Sequence, residues 1–539
     1  MEKRTLIALA LSFLVLGFYP VVLQKFYPDY YKKTPAHSSA NRQASLKSSN
    51  GLATQKLVNA EAFLAQEDLD YKNDFLQLIF NKKDGGIREI AFPFYKDSET
   101  GKPIEIVSLK KMGVSPAAIV VENGTDSETV SDYSSDVQSD KVVFSASALN
   151  KKLSVTKTFE FTQGYSAKLK VRFENTSNSP LEMNYEMVVG SGVVPRHSID
   201  MQYIESNFFS ELDGKKNLKH IKENRLGKQV ESGHPLRWVA VKDRHFSVIM
   251  RPEKLDSMSG IVRGFGAHDF SASLVSPKRI LSPNSFFEEE FLIYMGPNEL
   301  ERLLPFGLED LINFGKFDPI GRLFVGILEL IHKVCKNYGI SIIALTAMIN
   351  LALFPLTRVS YLSMKRMQLI QPQINKLRDH HKKNPEKLNK EMMELYKKHK
   401  VNPFGGCIPM VAQIPIFISL YVALSKSVDL INAHFLWIKD LSSPDRVDLP
   451  FTLPFLGNYI HLLPLLMVSA TVIQQRFTQI QVDNQDPSVQ AQQKMMTMMM
   501  PVIFGFIFYQ MPSGLVLYWL TNTLIMASYQ LRLKKMTLT

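Results

Sequence analysis

At roughly 150 residues per domain, the 539 residues of this chain make about three or four domains. A hydrophobic share of 45% and a mean hydropathy of −0.05 look ordinary for a soluble protein, but residues 71–296 are polar and alternating, whereas long apolar runs recur from Gly339 onward. That division excludes both a purely soluble enzyme and a pure bundle of membrane helices. The 63 Lys and Arg against 51 Asp and Glu leave a formal charge of +12. In a membrane chain such an excess is first an orientation signal and only then an affinity for anionic lipid; no specific nucleic acid is expected as a partner.

Met1-Glu2-Lys3-Arg4 precedes an apolar run from Leu6 to Leu23, the pattern of a secretory signal or signal anchor. Bulky residues at Tyr19-Pro20-Val21-Val22-Leu23 replace the small residues a cleavage site needs, and no cysteine is near for lipoprotein processing. Residues 1–24 are therefore expected to be a retained transmembrane anchor with a cytoplasmic N-terminus. Residues 25–70, rich in Ser, Ala, Gln, Asn and Lys, cannot bury enough apolar surface to offset chain entropy and are expected to be a flexible linker.

From Tyr71 the period is two. Lys152 to Phe161 alternates apolar with polar, Gln163-Gly164 turns, and Ala167 to Phe173 alternates again, which predicts a hairpin with one buried face. Leu181 to Val189 is a further run, and Asp84-Gly85-Gly86 and Asn123-Gly124-Thr125 are turn signals. Residues 71–300 are thus expected to form a large antiparallel β-sandwich. His245 lies beside Asp243 and Arg244, but the sequence places no second acid or nucleophile with it, so it is read as structural.

Residues 301–337 carry Ile320, Leu323, Phe324, Ile327, Leu328, Ile331 and Val334 at three- and four-residue steps, with Arg322, Glu329, His332 and Lys333 on other faces. An amphipathic helix charged at mid-length lies in the membrane interface or packs on the sandwich; it does not cross. Five spanning candidates follow, at 339–356, 404–424, 453–473, 495–511 and 515–531. The loop after Leu356 holds twelve Lys and Arg, whereas the next loop has only Lys426, Lys439 and Arg446. Basic loops stay inside, so the first loop is cytoplasmic and the second external. With the anchor, this makes six spans with both termini cytoplasmic. The basic loop, 358–402, has apolar stripes Leu362/Met367/Ile370/Ile374/Leu377 and Leu388/Met392/Leu395/Tyr396 separated by Asn384-Pro385, hence a helical hairpin. Its Lys365, Arg366, Lys382, Lys383, Lys397 and Lys398 either form a solvated face or touch lipid headgroups, the ribosome or a nascent chain. Cys335 and Cys407 fall on opposite sides of the membrane in this topology and show no metal-ligand spacing, so no disulfide or metal is expected.

The spans hold no Asp, Glu, Lys or Arg at mid-depth. Neutral polar residues stand in them or at their ends instead, among them Thr346, Asn350, Gln413, Ser419, Gln474, Gln475, Thr521, Asn522 and Thr523. Helix–helix hydrogen bonding accounts for many of these. Pro355, Pro409, Pro415, Pro464 and Pro501 imply kinked helices and a bundle that is not tightly closed.

Asn402-Pro403-Phe404-Gly405-Gly406-Cys407, Gln413-Ile414-Pro415-Ile416-Phe417, Phe354-Pro355-Leu356-Thr357, Met500-Pro501-Val502-Ile503-Phe504 and Pro512-Ser513-Gly514-Leu515-Val516-Leu517-Tyr518-Trp519 resemble the YidC membrane protein insertases. The anchor and sandwich, closed by Tyr294-Met295-Gly296-Pro297, resemble the Gram-negative form with its large periplasmic domain. The resemblance implies an inner-membrane insertase and chaperone without covalent chemistry or cofactor, its core at 338–535. Nascent membrane proteins would be its clients, and the Sec translocon and the ribosome its candidate partners. It also implies a hydrophilic groove open to cytoplasm and lipid. Thr346, Gln413 and Trp519 match groove positions, and Phe417 and Ile507 match the apolar substrate path. Where the family carries a groove arginine this chain has Asn350. The competing expectations are a polytopic transporter or channel with a periplasmic accessory domain, and a membrane-tethered carbohydrate-binding protein or enzyme. The first should show internal repeats or buried ionisable residues, which the sequence lacks.

Overall fold

The structure is a computed structural model describing residues 68–536, apart from 110–113, 223–228, 255–257, 265–269, 314–316, 402–407, 454–456, 479–498 and scattered single residues and pairs. The expected anchor, nearly all of the linker, Lys382, Lys383 and Cys407 lie outside the described residues. The described residues up to Asn313, joined by Lys426–Asn432, form one unit, and the others form a second.

In the first unit the alternation of Leu153–Phe161 and Ser166–Asn175 does what period two requires. The strands pair antiparallel, Ala167 opposite Phe161 and Asn175 opposite Leu153, with Val155, Phe159, Leu169, Val171 and Phe173 buried. Gly164 turns between them at φ +115°. Phe286–Pro297 pairs along the other side of Ser166–Asn175, Ser166 opposite Tyr294. A nine-stranded sheet results, in the order Lys215–Lys222, Glu205–Leu212, Trp238–Lys242, Phe246–Pro252, Phe286–Pro297, Ser166–Asn175, Leu153–Phe161, Lys141–Ala148, Ser134–Val137. A seven-stranded sheet, with Leu181–Ser191 at its centre between Phe270–Val275 and Ile119–Asn123, packs on it. The two approach closely at Gly190, where a Cβ would meet the Val241 side chain at 2.8 Å. Between them lie Trp238, Tyr185, Phe173 and Phe208, sealed from solvent. This is a β-sandwich.

A four-stranded sheet, Asp68–Lys72, Gln77–Asn81, Gly86–Lys96 and Pro103–Ser108, completes the unit. Its first strand begins inside the stretch expected to be linker. Tyr71 stacks on Phe161 at 3.9 Å and Arg88 bonds Asp68 at 2.7 Å, contacts that composition does not reveal. Lys426–Asn432 docks here as well, with Val428 and Ile431 in the core and Asn432 Nδ2 donating to the Lys96 carbonyl at 2.7 Å.

One core position breaks the apolar pattern. Lys157 lies on the buried face of Leu153–Phe161, and its Nζ donates to the carbonyls of Asp84 at 2.8 Å and Ala117 at 3.0 Å, 4.3 Å from the Tyr133 ring centre. It ties three segments far apart in sequence.

In the second unit, helix α1 (Asp318–Cys335) buries Phe324 and Leu328 and leaves Leu323, Leu330 and Val334 exposed. It ends at left-handed Lys336, and Asn337 caps α2 (Tyr338–His380) by accepting from Ile340 N at 3.1 Å. Helix α2 continues through Pro355 and Pro372, so the expected span and the first arm of the hairpin are one helix. The second arm, α3 (Pro385–Lys398), starts where Asn384 Oδ1 accepts from Lys387 N. Ile370, Ile374 and Val401 form its core with Met367, Met392, Leu395 and Tyr396, and His381 Nε2 meets Glu391 at 2.9 Å. Then come α4 (Ile408–Lys426), α5 (Leu462–Thr478), α6 (Met499–Phe508) and α7 (Ser513–Met536), the last packing on α5 and α2. Among the described residues one helical stretch, Tyr338–Met367, is by itself long and apolar enough to cross a membrane; Val411–Lys426, Leu462–Gln475 and Met499–Phe508 are shorter apolar helices. Part of the fourth spanning candidate, 495–498, is outside the described residues.

Burial pulls the Lys157 ammonium down to about pH 7, with the Asp84 carboxylate opposing the shift. The unfolded chain keeps that proton up to the usual lysine value, so it binds more protons than the folded chain between about pH 7 and 10.5. Stability contributed by this position must rise with pH across that window. Thermal melts of the full chain and of Lys157→Met are therefore expected to show a steeper rise in the parent; equal slopes would contradict it.

Candidate functional site

An amide inside an apolar helix costs free energy unless another polar group reaches it. In the second unit three helices meet that demand together. On α2, Thr346 and Asn350 are one turn apart and both buried. Thr346 Oγ1 donates back to the Ile342 carbonyl at 2.6 Å, and Asn350 Nδ2 donates to the Thr346 carbonyl at 2.9 Å. The same Nδ2 donates to Asn522 Oδ1 on α7, also at 2.9 Å. On α4, Gln413 Nε2 donates to the hydroxyl of Tyr518, a fully buried residue of α7. Tyr518 and Asn522 are four residues apart, hence stacked on one face of α7.

Of the expected groove residues, Thr346, Asn350 and Gln413 thus meet α2 and α7 partners in one polar array. Trp519 is placed differently. One residue along a helix turns the side chain by about 100°, and Trp519 stands among Phe417, Phe504 and Phe508, at ring separations of 5.1, 5.6 and 5.2 Å. Phe417, expected on the apolar path, belongs to that aromatic cluster; Ile507 is 47% exposed beside it on α6. Sequence reasoning did not single out Tyr518 and Asn522 as site residues. Their four-residue spacing was the signal available.

The connection between α4 and α5 fixes the start of α7. Asp440 accepts from Ser442 N, Ser442 Oγ and Ser443 Oγ, and the loop so shaped offers its carbonyls to α7. Ser443 O accepts from Ser513 N at 2.9 Å and Ser513 Oγ at 2.6 Å, and Leu441 O accepts from Gly514 N at 2.9 Å. The Pro512-Ser513-Gly514 motif therefore supplies amides that a helix start would otherwise leave unsatisfied. Asp445 caps α5 by accepting from Leu463 N at 2.9 Å and also binds Trp437 Nε1. Gly505 lets α6 approach α5; a Cβ there would meet Val468 at 2.6 Å.

On the helical hairpin of α2 and α3, Arg366, Lys397 and Lys398 are exposed and Lys365 is half-buried. Cys335 is an exposed free thiol. In the sandwich, His245 is buried in the turn between Trp238–Lys242 and Phe246–Pro252. Asp243 Oδ1 accepts from His245 N and Phe246 N at 2.7 Å each, and burial pushes that carboxyl up to about 6. The group shapes a turn. Glu205 is held the other way: burial raises it, but the bond from His220 and the charge of Lys242 bring it down to about 2. Among the described residues no group of three or more His, Cys, Asp or Glu is placed to hold a metal ion.

Residues 330–538 match the family model described as 60Kd inner membrane protein. A membrane protein insertase YidC of Citrifermentans bemidjiense is 30% identical over 566 residues, covering 99% of each chain. One from Geobacter sulfurreducens is 35% identical over 384 residues, covering 69% of this chain and 67% of its own. A crystal structure of active YidC insertase with the first transmembrane domain resolved is 20% identical, with a TM-score of 0.38, over 86% of this chain and 92% of that one. The chain belongs to the YidC membrane protein insertase family.

Proposed function

We propose that this chain inserts hydrophobic segments of nascent membrane proteins into the inner membrane through a polar groove lined by Thr346, Asn350 and Gln413. The observation that carries the reading is the uncharged polar array Asn350–Asn522 and Gln413–Tyr518 within otherwise apolar helices. Moving a charge to the bilayer centre costs ~2.5–3.5 kcal/mol even on lenient scales. Polar side chains within the bundle shorten the apolar path that a client's hydrophilic tail must cross. Burial of the client's apolar segment, along Phe417 and Ile507, drives the net transfer. No covalent step or cofactor is required.

In this reading the chain has six spans, with both termini and the 358–402 hairpin in the cytoplasm and the 71–300 sandwich in the periplasm. The linker 25–70 tethers the sandwich to the 1–24 anchor, 301–337 leads into the 338–535 core, and α1 lies in the interface through Leu323, Leu330 and Val334. The basic residues Lys365, Arg366, Lys382, Lys383, Lys397 and Lys398 receive the ribosome or the client as it arrives, and the chain acts alone or with the Sec translocon.

Two outcomes test this. Photocrosslinkers in the polar tail of a one-span client should trap it at positions 350 and 413, and those in its apolar segment at 417 and 507; the reverse pattern would contradict the assigned roles. Deleting residues 75–290 should leave most insertion activity, since the sandwich contributes no groove residue; complete loss, with the remaining chain folded, would move the function into the sandwich.

A further inference from the structure

The orientation of the Asn350 amide is fixed by its surroundings. The Thr346 carbonyl only accepts, so the Asn350 atom facing it at 2.9 Å is Nδ2, and the other Nδ2 hydrogen goes to Asn522 Oδ1. Both donors of Asn350 are thereby used. What the pair has left is one acceptor, Asn350 Oδ1, and the two N–H donors of Asn522 Nδ2, none bonded to any described residue. An acceptor and a donor on adjacent, mutually fixed amides have the complement of a peptide group, which offers one N–H and one C=O. Resting on the insertase reading above, we infer that Asn350 and Asn522 together form a docking element for a backbone peptide group of the client's uncharged polar tail, with Asn522 the residue that both positions Asn350 and supplies the donor.

The energetics suit a transient hold. A neutral interhelical hydrogen bond in a membrane is worth about 0.6 kcal/mol on average, so a tail docks and leaves without a large barrier. A buried charge in the same place would attract one sign of tail and repel the other. The neutral pair makes no such distinction, so peptide backbone, common to all clients, is what it recognises.

The test uses the full chain in nanodiscs and fluorescent tail peptides read by anisotropy: a neutral Gly/Ser peptide, its N-methylated counterpart, and versions carrying Asp or Lys. The parent should bind the neutral peptide, and N-methylation should weaken it about threefold, the value of one such bond. Asn522→Leu should weaken the neutral peptide by a similar factor and abolish the effect of N-methylation, whereas Asn522→Gln, which keeps both amide functions, should retain it. Asn522→Asp is isosteric and keeps the acceptor for Asn350; it should weaken the acidic peptide about tenfold more than the basic one, as a nearby like charge requires. If N-methylation matters equally in the parent and in Asn522→Leu, or if Asn522→Asp treats both charges alike, the inference is overturned. Liposome insertion by the same preparations separates this from the broader reading. Binding as expected without insertion contradicts the insertase function alone, and insertion with binding indifferent to position 522 contradicts the docking element alone.

Discussion

The helical unit depends on one constraint: amides carried by apolar helices must find one another. Asn350 and Gln413 lie on different helices, α2 and α4, and each reaches α7, at Asn522 and Tyr518. Because those two positions are one turn apart, a single face of α7 receives both neighbours. No charge is needed, so the array stays polar without the large desolvation penalty that a buried ion would add. The aromatic cluster of Phe417, Phe504, Phe508 and Trp519 packs on an adjacent face of α7, setting an apolar surface beside the polar one.

The loop before α5 serves the same helix from its end. Asp440 folds the segment so that Leu441 and Ser443 present carbonyls to Gly514 and Ser513, and Asp445 caps α5. Asp440 and Asp445 thus fix where two helices begin. In the sandwich, polar residues act likewise. Lys157 bridges two carbonyls and Asp243 closes a turn, which is how buried polar groups serve a fold when every donor has an acceptor.

Much of this was legible in advance where the information is local. Alternation located the hairpin of Leu153–Phe161 and Ser166–Asn175, the three- and four-residue steps located α1, and Asn384-Pro385 marked the start of α3. Local signals did not reveal pairings between distant segments. Phe286–Pro297 joins Phe246–Pro252 to Ser166–Asn175, and Lys426–Asn432 returns to the sandwich after a helical excursion; neither is encoded in its own neighbourhood. The candidate site divides in the same way. Thr346, Asn350 and Gln413 are visible as polar residues in apolar runs, but whether Tyr518 or Trp519 faces them depends on the rotation of α7, and that is fixed by packing rather than by composition.

The most direct measurement is insertion of a small one-span protein into liposomes that contain only this purified chain, scored by protease protection against protein-free liposomes. Protection well above the protein-free level is the expected result, because the polar array and its apolar neighbour belong to one chain and require no energy source. Protection equal to the protein-free level, with the chain folded and correctly oriented, would contradict the claim that this chain alone supplies the path into the bilayer.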